Sequence, residues 1–233
     1  MRILIVAATA AEIAPLQQSL VLSSSPFDVA QGDRELVERS NGERPHLEIL
    51  ITGVGMVAAA ARTSGALART RYDLALNLGI CGSFDPALSP GTVVHVVSDT
   101  MPELGAEDGD AFLSIEDLGL LRGDAPPFSN GRLVNAAVTV SPALQSLPAV
   151  HGITVNTVHG NQRSIAETVR RFAPQVESME GAGFMYACLI HAVPFAQVRA
   201  VSNVVERRNR GAWKIDEAIA SLCRVAQDII ERV

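Results

Sequence analysis

Glu12, Glu180 and Asn203 are the side chains in this 233-residue chain whose types and placing could do chemistry, because each follows an apolar run of the kind that makes a buried strand. Glu12 comes after "RILIVAA" (2–8), Glu180 sits in "VESMEG" (176–181), and Asn203 opens "NVVERRNR" after "PFAQVRAVS" (194–202). Two glycine turns, "TGVGMV" (52–57) and "NLGICGSF" (77–84), and a cationic cluster of Arg207, Arg208, Arg210 and Lys214 complete the set. In open α/β sheets ligands gather at the carboxyl ends of strands. Two acids and an amide at the ends of three different strands would converge over one crevice, which independent caps need not do.

Each residue also has a plain structural reading. Glu12 suits the first turn of a helix, where the dipole favours an acid. Glu177 reads as solvated, Met179 as core, Asn203 as a turn cap and the arginines as an exposed face. The glycine turns do not make a dinucleotide site, since "GVGMVA" has Ala58 where the last glycine of G-x-G-x-x-G is required.

The elements that must position these groups alternate. Short apolar runs at 2–8, 46–53, 74–80, 91–98, 152–158 and 194–202 read as strands. Helical patterns at 10–20, 55–69, 164–172, 181–192 and 215–233 lie between or after them. The alternation implies one α/β domain over residues 1–233, a central mixed sheet flanked by helices. Residues 101–132, rich in Gly, Pro and Asp, read as a long surface excursion or lid.

Composition narrows the function classes. A formal charge of −6 offers no broad basic field for nucleic acid. Three widely spaced cysteines, Cys81, Cys188 and Cys223, have no metal-ligand spacing and point to a reducing cytoplasm. Glu12 interrupts the one stretch that resembles a secretory signal, and no run reaches the roughly 18 apolar residues of a membrane span. The chain is therefore expected to be cytoplasmic, unanchored and free of metal and cofactor.

The order and spacing of "MRILIVAATAAEIAPL", "TGVGMVAAA", "LNLGICGSF", "ESMEGAG" and "RAVSNVVE" resemble the purine nucleoside phosphorylase and nucleosidase superfamily over essentially the whole chain. Within it, "ELGAEDGDAFLS" (103–114) and "SNVVERRNRGAWKI" (202–215) look like the futalosine hydrolase branch, which acts on the route to menaquinone that passes through futalosine. The resemblance implies cleavage of an N-glycosidic bond through a cation-like ribose. Glu180 would grip the 2′- and 3′-hydroxyls, Met179 would pack on the sugar, and Glu12 would direct the attacking water. Gly79, Ile80 and Cys81 of the strand-end turn would border the nucleoside.

Phosphorylases of this fold bring arginines and a serine to a phosphate, where this chain has Asn77 and Ile80. Water is therefore the expected nucleophile. Adenine-cleaving nucleosidases carry Asp at the position of Asn203, and an amide suits N7 or O6 of a 6-oxopurine, so hypoxanthine is the expected leaving group, with water supplying the N7 proton. Arg208 or Arg210 would meet the carboxylate at the 5′ end of futalosine, and Trp213 would form an aromatic wall. "HGNQR" (159–163) has no aromatic to stack on the base. The expected protein is a futalosine hydrolase acting on a small nucleoside as a homodimer or higher homo-oligomer, with no nucleic-acid or membrane partner. Its rivals are a methylthioadenosine/S-adenosylhomocysteine or aminofutalosine nucleosidase, a phosphorylase, and a catalytically silent nucleoside-binding module.

Overall fold

A computed structural model describes residues 1–22, 34–37, 45–135 and 141–233. Its elements run β1 (Arg2–Ala7), α1 (Ala10–Leu22), β2 (Arg34–Val37), β3 (His46–Ile51), α2 (Met56–Arg69), β4 (Leu74–Ser83) and β5 (Val93–Thr100). A hairpin of β6 (Gly105–Asp108) and β7 (Ala111–Ser114) follows, then β8 (Phe128–Ser129), β9 (Arg132–Val134), α3 (Pro142–Gln145) and β10 (Ala149–Thr154). The chain continues through α4 (Gln162–Phe172), β11 (Val176–Ser178), α5 (Gly181–Ile190), β12 (Phe195–Val204), a 3-10 turn at Arg210–Ala212 and α6 (Ile215–Glu231).

Ten strands form one mixed sheet in the order β2-β3-β1-β4-β11-β10-β5-β9-β8, with β12 pairing both β4 and β5. The strands β4, β11, β10, β5 and β12 thereby close on one another, which leaves no free edge at the centre of the sheet. Residues Ile3 to Ala7 of β1 are all fully buried, as consecutive apolar residues in a strand covered on both faces must be. Alternation divides them. Ile3 and Ile5 pack with Ile13 of α1 and Leu222 of α6, whereas Leu4 and Val6 pack with Leu67 of α2 and Phe184 of α5.

Helices α1 and α6 thus cover one face and α2 and α5 the other. The α2 stripe is Ala59, Thr63, Ala66 and Leu67, at helical spacing. Helix α5 buries seven of its ten residues. Its Gly183 lies so close to the backbone oxygen of Met56 that any side chain there would collide with it.

The sequence reading places β10 three residues too late, at 152 rather than 149, and misses β11, whose three residues are too short to show a period. The excursion at 101–132 is built rather than irregular. β6 and β7 form their own two-stranded sheet, and the guanidinium of Arg171 at the end of α4 lies 3.7 Å from the centre of the Phe112 ring on it. A strand-turn-strand of four-residue arms with Gly109 in the turn carries too few apolar residues to announce itself.

Candidate active site

A cavity of about 410 Å³ opens beside the ends of β4, β11 and β12, within the range of small-molecule sites. Glu12, Ile80, Cys81, Met179, Glu180, Asn203, Arg208 and Trp213 all line it. Gly79 and Arg210 do not. Gly79 is buried behind Glu12, and Arg210 is exposed on the 3-10 turn.

Glu12 satisfies its plain reading and borders the cavity as well. Its Oε2 accepts from the backbone N–H of Thr9 at 2.9 Å and from Thr9 Oγ1 at 3.1 Å, so it ties down the residue before α1 as a capping glutamate does. Its Oε1 accepts from the Ile80 N–H at 3.3 Å. A carboxylate so held has a fixed orientation and spare lone pairs facing the cavity. An alanine Cβ in place of Gly79 would stand 3.0 Å from Glu12 Oε1 and collide with Nη1 of Arg199. The bare Cα of Gly79 therefore leaves the room that the carboxylate and the guanidinium fill.

Arg199 is a buried charge behind the cavity that sequence reasoning passed over. It stands inside the apolar run of β12, is 1% exposed, and its Nη2 donates to Asn77 Oδ1. Asn77 Nδ2 in turn donates to Val6 O at 3.0 Å. The signal was a charged residue in an otherwise buried strand, which needs a partner or a task. Burial pushes the Cys81 thiol up to about 12, with Arg199 pulling the other way and Glu177 adding to the rise. Cys81 is therefore a neutral part of the wall.

Glu180 stands before the first residue of α5, 8% exposed, and its Oε1 accepts from the Gly55 N–H at 3.0 Å. Gly55 adopts φ +101°, a conformation open to glycine, and so turns its N–H toward the acid. The start of α5 is braced from below. The Ala182 N–H donates to Thr154 Oγ1 at 2.7 Å, which donates to Asp99 Oδ1 at 3.0 Å, while Gln197 Nε2 donates to Asp99 Oδ2 at 3.1 Å. Full burial raises Asp99 to about 6 despite these donors.

Asn203 reaches its place through a bulge in β12. The register passes from Val201 opposite Cys81 directly to Asn203 opposite Gly82, leaving Ser202 as the extra residue. Ser202 Oγ lies 2.8 Å from Asn203 Oδ1 and donates to it, and Asn203 Nδ2 donates to Val204 O at 2.9 Å. One N–H of the amide stays available to a ligand. Glu177 departs from its solvated reading. It is 4% exposed, borders the cavity and pairs with His159, its Oε2 2.6 Å from His159 Nδ1. Arg208 sits at another wall with its guanidinium carbon 5.4 Å from the centre of the Trp213 ring.

The phosphorylase superfamily model matches residues 2–233. Futalosine hydrolase of Streptomyces coelicolor is 37% identical over 181 residues, covering 75% of this chain and 74% of that one, and that of Thermus thermophilus is 30% identical over 181 residues, covering 78% and 80%. The chain belongs to the phosphorylase superfamily and, within it, to the futalosine hydrolase family. A solved 5′-methylthioadenosine/S-adenosylhomocysteine nucleosidase of Helicobacter pylori with butyl-thio-DADMe-Immucillin-A superposes with a TM-score of 0.81 over 99% of this chain and 98% of that one, at 13% identity. At that identity the likeness carries the fold shared by the superfamily's hydrolases. Among the described residues of this futalosine hydrolase family member, no three His, Cys, Asp or Glu side chains gather to hold a metal ion, and no helix is long and apolar enough to cross a membrane.

Proposed function

We propose that this enzyme hydrolyses the N-glycosidic bond of futalosine, releasing hypoxanthine and dehypoxanthine futalosine on the route to menaquinone. The observation that carries the reading is the convergence of Glu12, Glu180 and Asn203 on one cavity, in a chain 37% and 30% identical to two futalosine hydrolases.

The cleavage is dissociative in this account. Glu180, held on one oxygen by Gly55, offers the other to the ribose hydroxyls and favours the positive charge that develops on the ring. Met179, half-buried in the wall, packs on the sugar. Asn203 donates to the departing base and draws density into it. Glu12, fixed by Thr9 and Ile80, accepts a proton from the water that attacks C1′. Water from the open cavity completes N7 protonation.

Arg208 is the cation placed to meet the 5′ carboxylate, with Trp213 beside it. Asn77 is engaged by Arg199 and Val6, and Ile80 is apolar, so neither offers a phosphate the side chains that phosphorylases bring to it. The enzyme acts as one domain in the cytoplasm, in keeping with its three free buried cysteines, and as a homodimer or higher homo-oligomer, whose mass light scattering would report.

The test is chromatography of free base after incubation with futalosine, aminofutalosine, methylthioadenosine and inosine in turn. Hypoxanthine from futalosine alone is expected. Adenine from methylthioadenosine would move the enzyme to the adenine-cleaving nucleosidases, and no base from any of the four would make it a binding module.

A further inference from the structure

Glu177 is a carboxylate of the cavity wall to which glycosidic chemistry gives no task. Its position follows from the sheet. Gly82 of β4 pairs with Glu177 of β11 on one side and with Asn203 of β12 on the other. Residues opposite one another on neighbouring strands project from the same face. The missing side chain of Gly82 therefore leaves a trough with a carboxylate on one bank and an amide on the other. A Cβ on Gly82 would lie 3.3 Å from Asn203 Nδ2 and 3.5 Å from Glu177 Cγ.

The carboxylate is held from behind. The His159 N–H donates to Glu177 Oε1 at 3.1 Å, and His159 Nδ1 lies 2.6 Å from Glu177 Oε2. His159 Nε2 is 2.8 Å from Thr168 Oγ1 on α4. Both ring nitrogens are thus engaged, and the imidazole has none left for a ligand. A carboxylate has no hydrogen to give, so beside it the ring's hydrogen belongs on Nδ1, and Glu177 accepts from His159 while keeping further lone pairs. A carboxylate buried to this degree, with donors on one side only, calls for a further donor from whatever fills the site.

We propose that Glu177 determines base specificity by accepting a hydrogen bond from the N1–H of a 6-oxopurine, while Asn203 donates to the O6 and N7 edge. The proposal rests on the reading of the cavity as a nucleoside site and goes beyond it in saying which base and why. A 6-oxopurine carries a proton on N1, where a 6-aminopurine carries a lone pair. An acceptor-only group attracts the first and repels the second. His159 and Thr168 act through Glu177, as positioning residues.

The test is calorimetric binding of hypoxanthine, 1-methylhypoxanthine and adenine to the wild-type enzyme and to Glu177→Gln, with futalosine cleavage measured alongside. A hydrogen bond to a charged acceptor corresponds to roughly 10- to 100-fold in affinity. The wild type is expected to bind hypoxanthine more tightly than either other base by about that factor, and Glu177→Gln to lose the preference over adenine. Equal affinity of the wild type for hypoxanthine and 1-methylhypoxanthine overturns the proposal without needing the variant to fold, as does failure to bind any of the three. A folded Glu177→Gln that keeps the preference also overturns it. A wild type that prefers hypoxanthine but leaves futalosine intact supports the role of Glu177 and sinks the reaction assigned above.

Discussion

Gly82→Ala places a methyl group in the trough between Glu177 and Asn203, and its effects on stability and on catalysis can be worked out separately. The new Cβ would stand 2.8 Å from Val205 Cγ2, and ordinary contact begins at 3.4 Å, so Val205 must yield by about 0.6 Å. Val205 is 7% exposed and has limited room to turn. Overpacking of this kind costs about 1–3 kcal/mol. For a chain of this size each kcal/mol lowers Tm by roughly 2–4 °C. The methyl also lies 3.3 Å from Asn203 Nδ2, tighter than nearly all real contacts, and it fills the space over which the base is expected to lie. A displacement near 1 Å at a reacting centre costs on the order of 10² in rate. Initial rates of hypoxanthine release and scanning calorimetry on the same preparation separate the two effects. A kcat/KM equal to wild type beside a lowered Tm would show that the base does not lie over Gly82, and would refute the placing of the purine between β11 and β12.

Glu12→Gln keeps the shape of the capping contact with Thr9 but removes the base, and is expected to lower kcat by roughly 10²–10⁴ while hypoxanthine affinity is unchanged. Arg208→Ala is expected to raise KM for futalosine and to leave the affinity for free hypoxanthine unchanged, whereas Arg210→Ala changes neither, because only Arg208 borders the cavity. Stability should carry two opposed pH dependences from β5, resolved by urea denaturation between pH 4 and 7. Asp99, raised to about 6, holds in the native state a proton that the unfolded chain releases above about 4, so its contribution falls as pH rises through that window by about 3 kcal/mol. His95, lowered by burial to about 4, refuses a proton that the unfolded chain takes up below 6.5, so its contribution falls as pH drops through that window. Asp99→Asn should therefore steepen the loss of stability toward acid, and His95→Gln should abolish it. Identical pH profiles for the two variants and the wild type would contradict both assignments.

The apolar runs that became β1, β3, β4, β5 and β12 were legible because burial on both faces demands consecutive apolar residues, and a local window shows them. Glu12, Glu180 and Asn203 were legible through a family motif and through their place after such runs. What could not be read depends on pairing between distant strands. The bulge at Ser202 decides that Asn203, and not its neighbour, stands opposite Gly82, and no local pattern encodes it. Glu177 reads as a solvated acid until β11 is paired with β4 and His159 arrives from the loop before α4. Gly79 was read as a residue of the nucleoside border because it belongs to the turn motif, yet its role in the fold is to leave room for Glu12 and Arg199. Arg208 and Arg210 stay equivalent in sequence, and only the 3-10 turn carries Arg210 away from the cavity.

The central claim is that water, directed by Glu12, displaces hypoxanthine from the ribose of futalosine. The most direct measurement is the reaction of futalosine in ¹⁸O-water with and without inorganic phosphate, followed by mass spectrometry of the sugar product. The account predicts one ¹⁸O atom on C1′ of dehypoxanthine futalosine and a rate independent of phosphate. A sugar 1-phosphate, or a rate that rises with phosphate, would contradict it.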